Sequence, residues 1–295
     1  MMEIHTSKES RFIIKSNDII DQSYTKDQLT KHFDGIIKSL DISGSNISSK
    51  FTHSLFILTR DKKVILLKRK NSFEYTYIVN NIKLYKKLKK KNVNVGKTKN
   101  NILTMYDNIS DSERKELLNR YKNIIYDIMN TTEGEYLSSR FKRIKCNGYI
   151  YNDEVDKFRN FNMKDVMVKY KQDPTIYMLP GGFIKKKELY HKGLWRELNE
   201  EFGKSLTNLN IELEFNKTEQ YIVLIYDKMF NKLYVCVVNF ACINVHSTKI
   251  STLFKPNGEA RHLYMYPLEN NNTNPFEFIC DVQSFISSQY EKVFL

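Results

Sequence analysis

The stretch Leu179–Lys204, LPGGFIKKKELYHKGLWRELNEEFGK, constrains this chain more than any other. Gly181 and Gly182 follow Pro180, and Glu197, Glu200 and Glu201 stand behind them at i, i+3 and i+4. Positions so spaced share one face of a helix. The stretch therefore reads as a short strand over 175–179, a tight turn and a helix with an acidic face. Glycines allow such a turn and let backbone approach a ligand closely. Three carboxylates on one face repel each other, and a hard cation between them removes the repulsion. All-oxygen ligation suits Mg²⁺ or Mn²⁺. Gly193 inside the helix costs about 1 kcal/mol relative to Ala. It reads as a position kept small so that another backbone or a substrate can approach.

The rest of the 295 residues surrounds this stretch with apolar patterns and positive charge. A net charge of +13 points to a polyanionic partner, either nucleic acid or a highly phosphorylated small molecule. A coding bias toward Lys, which the many Asn and Ile residues fit, is the alternative source of part of that charge. Lys83, Lys86, Lys87, Lys89, Lys90 and Lys91 form its densest run and read as contacts to an RNA backbone, or else as a solvated loop. The four cysteines form no C-x-x-C pair, which favours free thiols in a reducing compartment. Neither a signal-peptide core nor an apolar run long enough to span a bilayer is present, so a soluble, cytoplasmic protein without membrane contact is expected.

Along the chain, Leu29, Phe33, Ile36, Ile37 and Leu40 follow helical spacing, so residues 1–50 read as a helical extension. Residues 51–58 and 64–68 read as a hairpin closed by Arg60–Lys63. It runs into Lys68-Arg69-Lys70-Asn71-Ser72-Phe73-Glu74-Tyr75, a basic run with aromatics suited to a base or a phosphate chain. Residues 81–150 read as a basic helical insertion. Within it, Ser110-Asp111-Ser112-Glu113 is a capping box that leads into an apolar helical stripe. A second hairpin (221–226 and 233–243), a strand after Glu259 and a final helix capped by Asn274-Pro275 complete an α+β chain with a mixed sheet between helices.

The spacing from Gly182 over five residues to Glu188, then seven residues to Arg196-Glu197-Leu198-Asn199-Glu200-Glu201-Phe202-Gly203, resembles the Nudix box. That family hydrolyses nucleoside diphosphates linked to another moiety. Lys204 departs from it, standing where the family usually has an apolar residue. The resemblance implies the Nudix fold over 51–295 and metal ligation by Glu197, Glu200 and Glu201, with the Gly181 carbonyl a further ligand. It implies that Arg196 orients a glutamate, with Glu188 as its partner. Glu200 or Glu201 is a candidate general base, and so is Glu259, since many members use a carboxylate outside the box.

The order of elements, with the segment Asn71 to Tyr75, also resembles the mRNA-decapping enzymes of poxviruses and other large cytoplasmic DNA viruses. This implies capped RNA as substrate, with 7-methyl-GDP and 5′-monophosphate RNA as products. It implies that Phe73 stacks on the methylated base, with Tyr221 or Tyr226 as candidates for the second ring. Two alternatives stay open. One is hydrolysis of diphosphoinositol polyphosphates or dinucleoside polyphosphates; the other is a non-catalytic RNA-binding module.

Overall fold

Strand β3, Ser48–Thr59, occupies the middle of a mixed sheet because both its faces are apolar where they are covered. Phe51, Leu55 and Ile57 are buried on one side and Phe56 on the other, the period of two that a pleated strand imposes. The computed structural model describes residues 1–6, 9–16, 27–28, 31, 33–34, 38, 48–106, 108–130, 176–185, 187–202, 214–228, 230, 232–256, 260–268 and 274–292. The chain divides into two compact units, Met1–Lys70 with Thr175–Val293, and Asn71–Pro174.

The first unit holds the sheet. Its strands are β1 (Met2–His5), β2 (Glu9–Ser16), β3, β4 (Lys63–Arg69), β5 (Tyr177–Met178), β6 (Gly181–Phe183), β7 (Glu214–Asp227), β8 (Lys232–Ile243) and β9 (Ala260–Pro267). The order is β1-β2-β7-β8-β3-β4-β5, with β6 on β3 and β9 on β4. β3 and β8 run parallel, from Ser48↔Lys232 to Thr59↔Ile243; the other pairs are antiparallel.

Three helices of this unit are α4 (Tyr190–Phe202), α5 (Ser247–Leu253) and α6 (Pro275–Lys292), and the described residues 27–28, 31, 33–34 and 38 are helical as well. Asn274 caps α6, its side-chain oxygen accepting from Phe276 N at 3.1 Å. Ile279, Val282 and Ile286 of α6 pack with Ile13, Phe56, Val223, Val238 and Phe240 on one face of the sheet. Leu194, Leu198 and Phe202 of α4 pack with Leu55, Ile57, Ile65 and Leu67 on the other. The sheet is therefore covered on both faces by helices, an α+β arrangement.

The second unit is helical: α1 (Phe73–Lys90), α2 (Gly96–Tyr106) and α3 (Asp111–Asn130). One buried carboxylate joins two helix starts. Glu113 accepts from Ser72 N (2.5 Å), Ser72 Oγ (3.1 Å) and Ser110 N (3.0 Å), while Ser72 Oγ caps α1 by accepting from Tyr75 N at 3.0 Å. Tyr121, at φ −133°, kinks α3.

Two expectations change. Residues 1–50 are not purely a helical extension: Met2–His5 and Glu9–Ser16 pair with each other and then with β7. Phe12 and Ile14 pack in one core cluster and Ile13 in another, so this strand is covered on both faces and its consecutive apolar run carries no period of two. Phe33 is buried, whereas Leu29, Ile36, Ile37 and Leu40 lie outside the described residues. The helical insertion starts at Phe73, not near 81, because Ser72 is an N-cap. Its stretch 131–150 lies outside the described residues. Among the described residues no helix is long and apolar enough to cross a membrane.

A buried polar network ties β2 to α6. Arg11 Nε donates to Glu9 Oε1 at 2.6 Å, Arg11 also donates to Gln283, and Ser287 Oγ donates to Glu9 Oε1 at 2.8 Å. Removing one partner of a buried pair strands the other charge away from water. Arg11→Ala is expected to cost about 3 kcal/mol or more, read as a lower urea midpoint. Lys38→Ala, which breaks an exposed pair with Asp34, should cost about 0.5 kcal/mol or less.

Candidate functional site

The acidic helix lies where β3 parts from β4. β3 pairs with β4 near its end, at Leu58↔Val64, and with β6 earlier, at Thr52↔Phe183, His53↔Gly182 and Ser54↔Gly181. The Gly-Gly pair is thus a short strand wedged beneath α4 rather than a free turn. Leu55 N donates to Pro180 O at 2.8 Å and fixes its approach.

Both glycines are demanded by space. Gly181 sits at φ +143°, and a Cβ there would lie 2.1 Å from His53 O. A Cβ on Gly182 would lie 2.4 Å from Glu197 Cδ. Glu197 therefore rests its carboxyl group directly on backbone. Glu201, on the adjacent turn of α4, accepts from Gly181 N at 2.9 Å and is 2% exposed.

Arg196 gathers the remaining carboxylates. Its Nε and Nη2 donate to Glu188 at 2.8 and 3.0 Å, a two-pronged pair that the planar guanidinium favours. Its Nη1 donates to Glu197 at 2.5 Å and reaches Glu200 at 3.4 Å, and Nη2 also donates to Phe183 O at 3.0 Å. The side chains of Glu188 and Glu197 are mostly covered, whereas that of Glu200 is 58% exposed. Hydrogen bonding from Arg196, aided by the Lys185 backbone, holds the Glu188 carboxyl down at about 2 against the opposing effect of burial. The same pairing raises Arg196.

His53 on β3 forms the floor, against Gly181 and Gly193. It is 0% exposed, and burial pushes its imidazole down to about 4, against the upward pull of the Gly193 backbone and the Glu188 charge. A Cβ on Gly193 would lie 2.9 Å from His53 Cε1 and 3.1 Å from Glu188 Oε2. The small residue in α4 thus makes room for side chains of the site. The one cue to His53 was its parity with Phe51 and Leu55, which places it on the buried side of β3.

The other sequence-derived residues belong to other elements. Tyr221 is 0% exposed and packs against Phe240 and Phe276, with centroids at 5.6 and 6.0 Å. It is a core residue with no ring face for a ligand, because Phe240 of β8 and Phe276 of α6 cover it and both faces of β7 are buried here. Tyr226 is half-buried on β7 and pairs with Leu233. Phe73, 37% exposed, opens α1 in the helical unit. Lys83, Lys86, Lys87, Lys89, Lys90 and Lys91 are exposed in and just after α1. Two of them are engaged locally: Lys89 pairs with Asp127 at 2.5 Å, and Lys86 lies over the Tyr121 ring at 5.3 Å. Glu259 lies outside the described residues.

Glu197, Glu200 and Glu201, with the Gly181 carbonyl, are an all-oxygen donor set, and Glu197 has room over Gly182 only because no Cβ is there. In donor chemistry they fit a hard divalent cation. Among the described residues, however, no group of three or more His, Cys, Asp or Glu side chains is gathered closely enough to hold a metal. Arg196 supplies the positive charge between Glu197 and Glu200 in this arrangement.

No family model matches the chain, and no curated protein does. Among solved structures, a bifunctional NMN adenylyltransferase/ADP ribose pyrophosphatase from Francisella tularensis aligns at 10% identity with a TM-score of 0.28. The alignment covers 90% of this chain and 47% of that one, so the chain spans about half of that protein's length. A TM-score this low supports no inference about fold or activity.

Gly193→Ala should lower stability by about 1–3 kcal/mol in denaturant melts, despite the better helix propensity of alanine. The reason is the contact with His53 and Glu188. His53→Ala in the same chain should recover part of that loss. His53 also makes stability depend on pH. The folded chain takes this proton only near pH 4, whereas the unfolded chain takes it near 6.5. Between those values the unfolded state binds more protons, so stability falls as pH drops. The loss should reach about 3 kcal/mol, measured as urea midpoints from pH 7 to 4, and this component should vanish in His53→Gln.

Proposed function

We propose that the chain is a divalent-metal-dependent pyrophosphohydrolase of the Nudix type that acts on capped RNA, releasing 7-methyl-GDP and RNA with a 5′-monophosphate. The observation that supports this reading is the clamp of Arg196 on Glu188, Glu197 and Glu200 over the Gly182 backbone. Glu197, Glu200 and Glu201, with the Gly181 carbonyl, would hold Mg²⁺ or Mn²⁺. When bound, such an ion neutralises pyrophosphate oxygens and lowers the pKa of an attacking water.

The chain's own residues do the positioning. Glu188 anchors the Arg196 guanidinium, and Arg196 aims Glu197. The Gly181 N–H holds Glu201 in place. Glu200, the most exposed of the set, is able to accept a proton from water. Phe73 offers its ring to the methylated, cationic guanine of the cap. Exposed lysines of α1 follow the RNA phosphates, which makes binding salt-dependent.

The test uses RNA labelled in the cap phosphates, incubated with Mg²⁺ or Mn²⁺, with chromatography of the products. Release of 7-methyl-GDP is expected, slowed about 100-fold or more in Glu201→Gln. Hydrolysis of diphosphoinositol polyphosphates or dinucleoside polyphosphates without release from capped RNA would replace the substrate. RNA binding with no turnover of any of these would make the chain a binding module.

A further inference from the structure

Phe183 follows Gly182 directly and is 51% exposed, beside the acidic face of α4. Its backbone is fixed twice: Phe183 pairs with Thr52 across β3, and its carbonyl accepts from Arg196 Nη2 at 3.0 Å. Tyr234 on β8 lies beside the ring, centroid to centroid 6.4 Å at 43°. Lys50, the register partner of Tyr234, places Nζ 5.3 Å from the Phe183 centroid. An exposed ring, a second ring and an ammonium group are thus held together on β6, β3 and β8, in the same unit as the carboxylates. Neither packing nor the acidic motif uses the exposed part of Phe183.

We propose that Phe183, flanked by Tyr234 and Lys50, is a stacking platform for an uncharged nucleobase of the substrate, with Lys50 taking the phosphate attached to that nucleoside. The proposal rests on the pyrophosphohydrolase reading and names the chemistry of one side of its substrate. Aromatic rings stack on any base through its π face, and an ammonium beside the ring attracts a nucleotide's phosphate. The same ammonium repels a cationic base, so this platform suits an ordinary base rather than a methylated, positively charged one. In a capped RNA, the ordinary base next to the triphosphate bridge belongs to the first transcribed nucleotide. A substrate without a base has nothing for this ring to hold.

The experiment is calorimetric titration of the full chain with GDP, 7-methyl-GDP and inorganic pyrophosphate, using Phe183→Ala, Phe183→Trp and Lys50→Gln. Phe183→Ala is expected to weaken GDP roughly 5- to 100-fold and to leave pyrophosphate within about two-fold. Phe183→Trp keeps GDP binding, and Lys50→Gln reduces the preference for GDP over 7-methyl-GDP. Equal loss for GDP and pyrophosphate, or no loss for GDP, overturns the platform. A loss for 7-methyl-GDP as large as that for GDP overturns the assignment to an uncharged base. These titrations need no turnover, so an inactive chain that still shows the GDP-specific loss would refute the hydrolase reading alone.

Discussion

One guanidinium keeps the acidic face of α4 together. Two like charges about 4 Å apart repel by roughly 4 kcal/mol at an effective dielectric of 20. Arg196 reaches Glu188, Glu197 and Glu200 at once, so one positive charge offsets part of that repulsion where it arises. The pairing works because the guanidinium is planar and always charged, and because Glu188 is anchored in turn by the Lys185 N–H at 2.9 Å.

That clamp needs close backbone approach, and the sheet provides it. β3 leaves β4 after a short contact and receives β6, which brings Gly181 and Gly182 under α4. Any side chain at Gly182 would displace the Glu197 carboxyl, and one at Gly181 would meet the backbone of His53. His53 supports the assembly from below. Its burial keeps the ring neutral near pH 7, so the floor adds no further charge to a region with several carboxylates and an arginine.

Elsewhere the chain manages buried charge in the same way, with one carboxylate serving several donors. Glu113 satisfies the starts of two helices in the helical unit. Glu9 takes Arg11 and Ser287 between β2 and α6 in the sheet unit. A carboxylate removed from water is tolerable only when its oxygens are occupied, so each of these sites specifies a single arrangement of the elements it joins.

The sequence by itself determined the local chemistry. The spacing of Glu197, Glu200 and Glu201 on one helical face, both hairpins and the capped final helix were legible, because helical and strand periods and capping residues act over a few positions. The strand Glu9–Ser16 was not legible, because Phe12, Ile13 and Ile14 form one short apolar run without a period of two. Only the tertiary structure decided which residues meet. Nothing near Gly193 announces that His53, 140 positions earlier in the numbering, needs its missing Cβ. Nothing near Tyr221 separates a ring turned into the core from one turned to solvent, since a strand tyrosine suits both. Phe183, Tyr234 and Lys50 come together only because β3 pairs with β6 on one side and β8 on the other. Such contacts depend on strand register across distant segments, and register is set by the packing of the whole sheet rather than by any short stretch of chain.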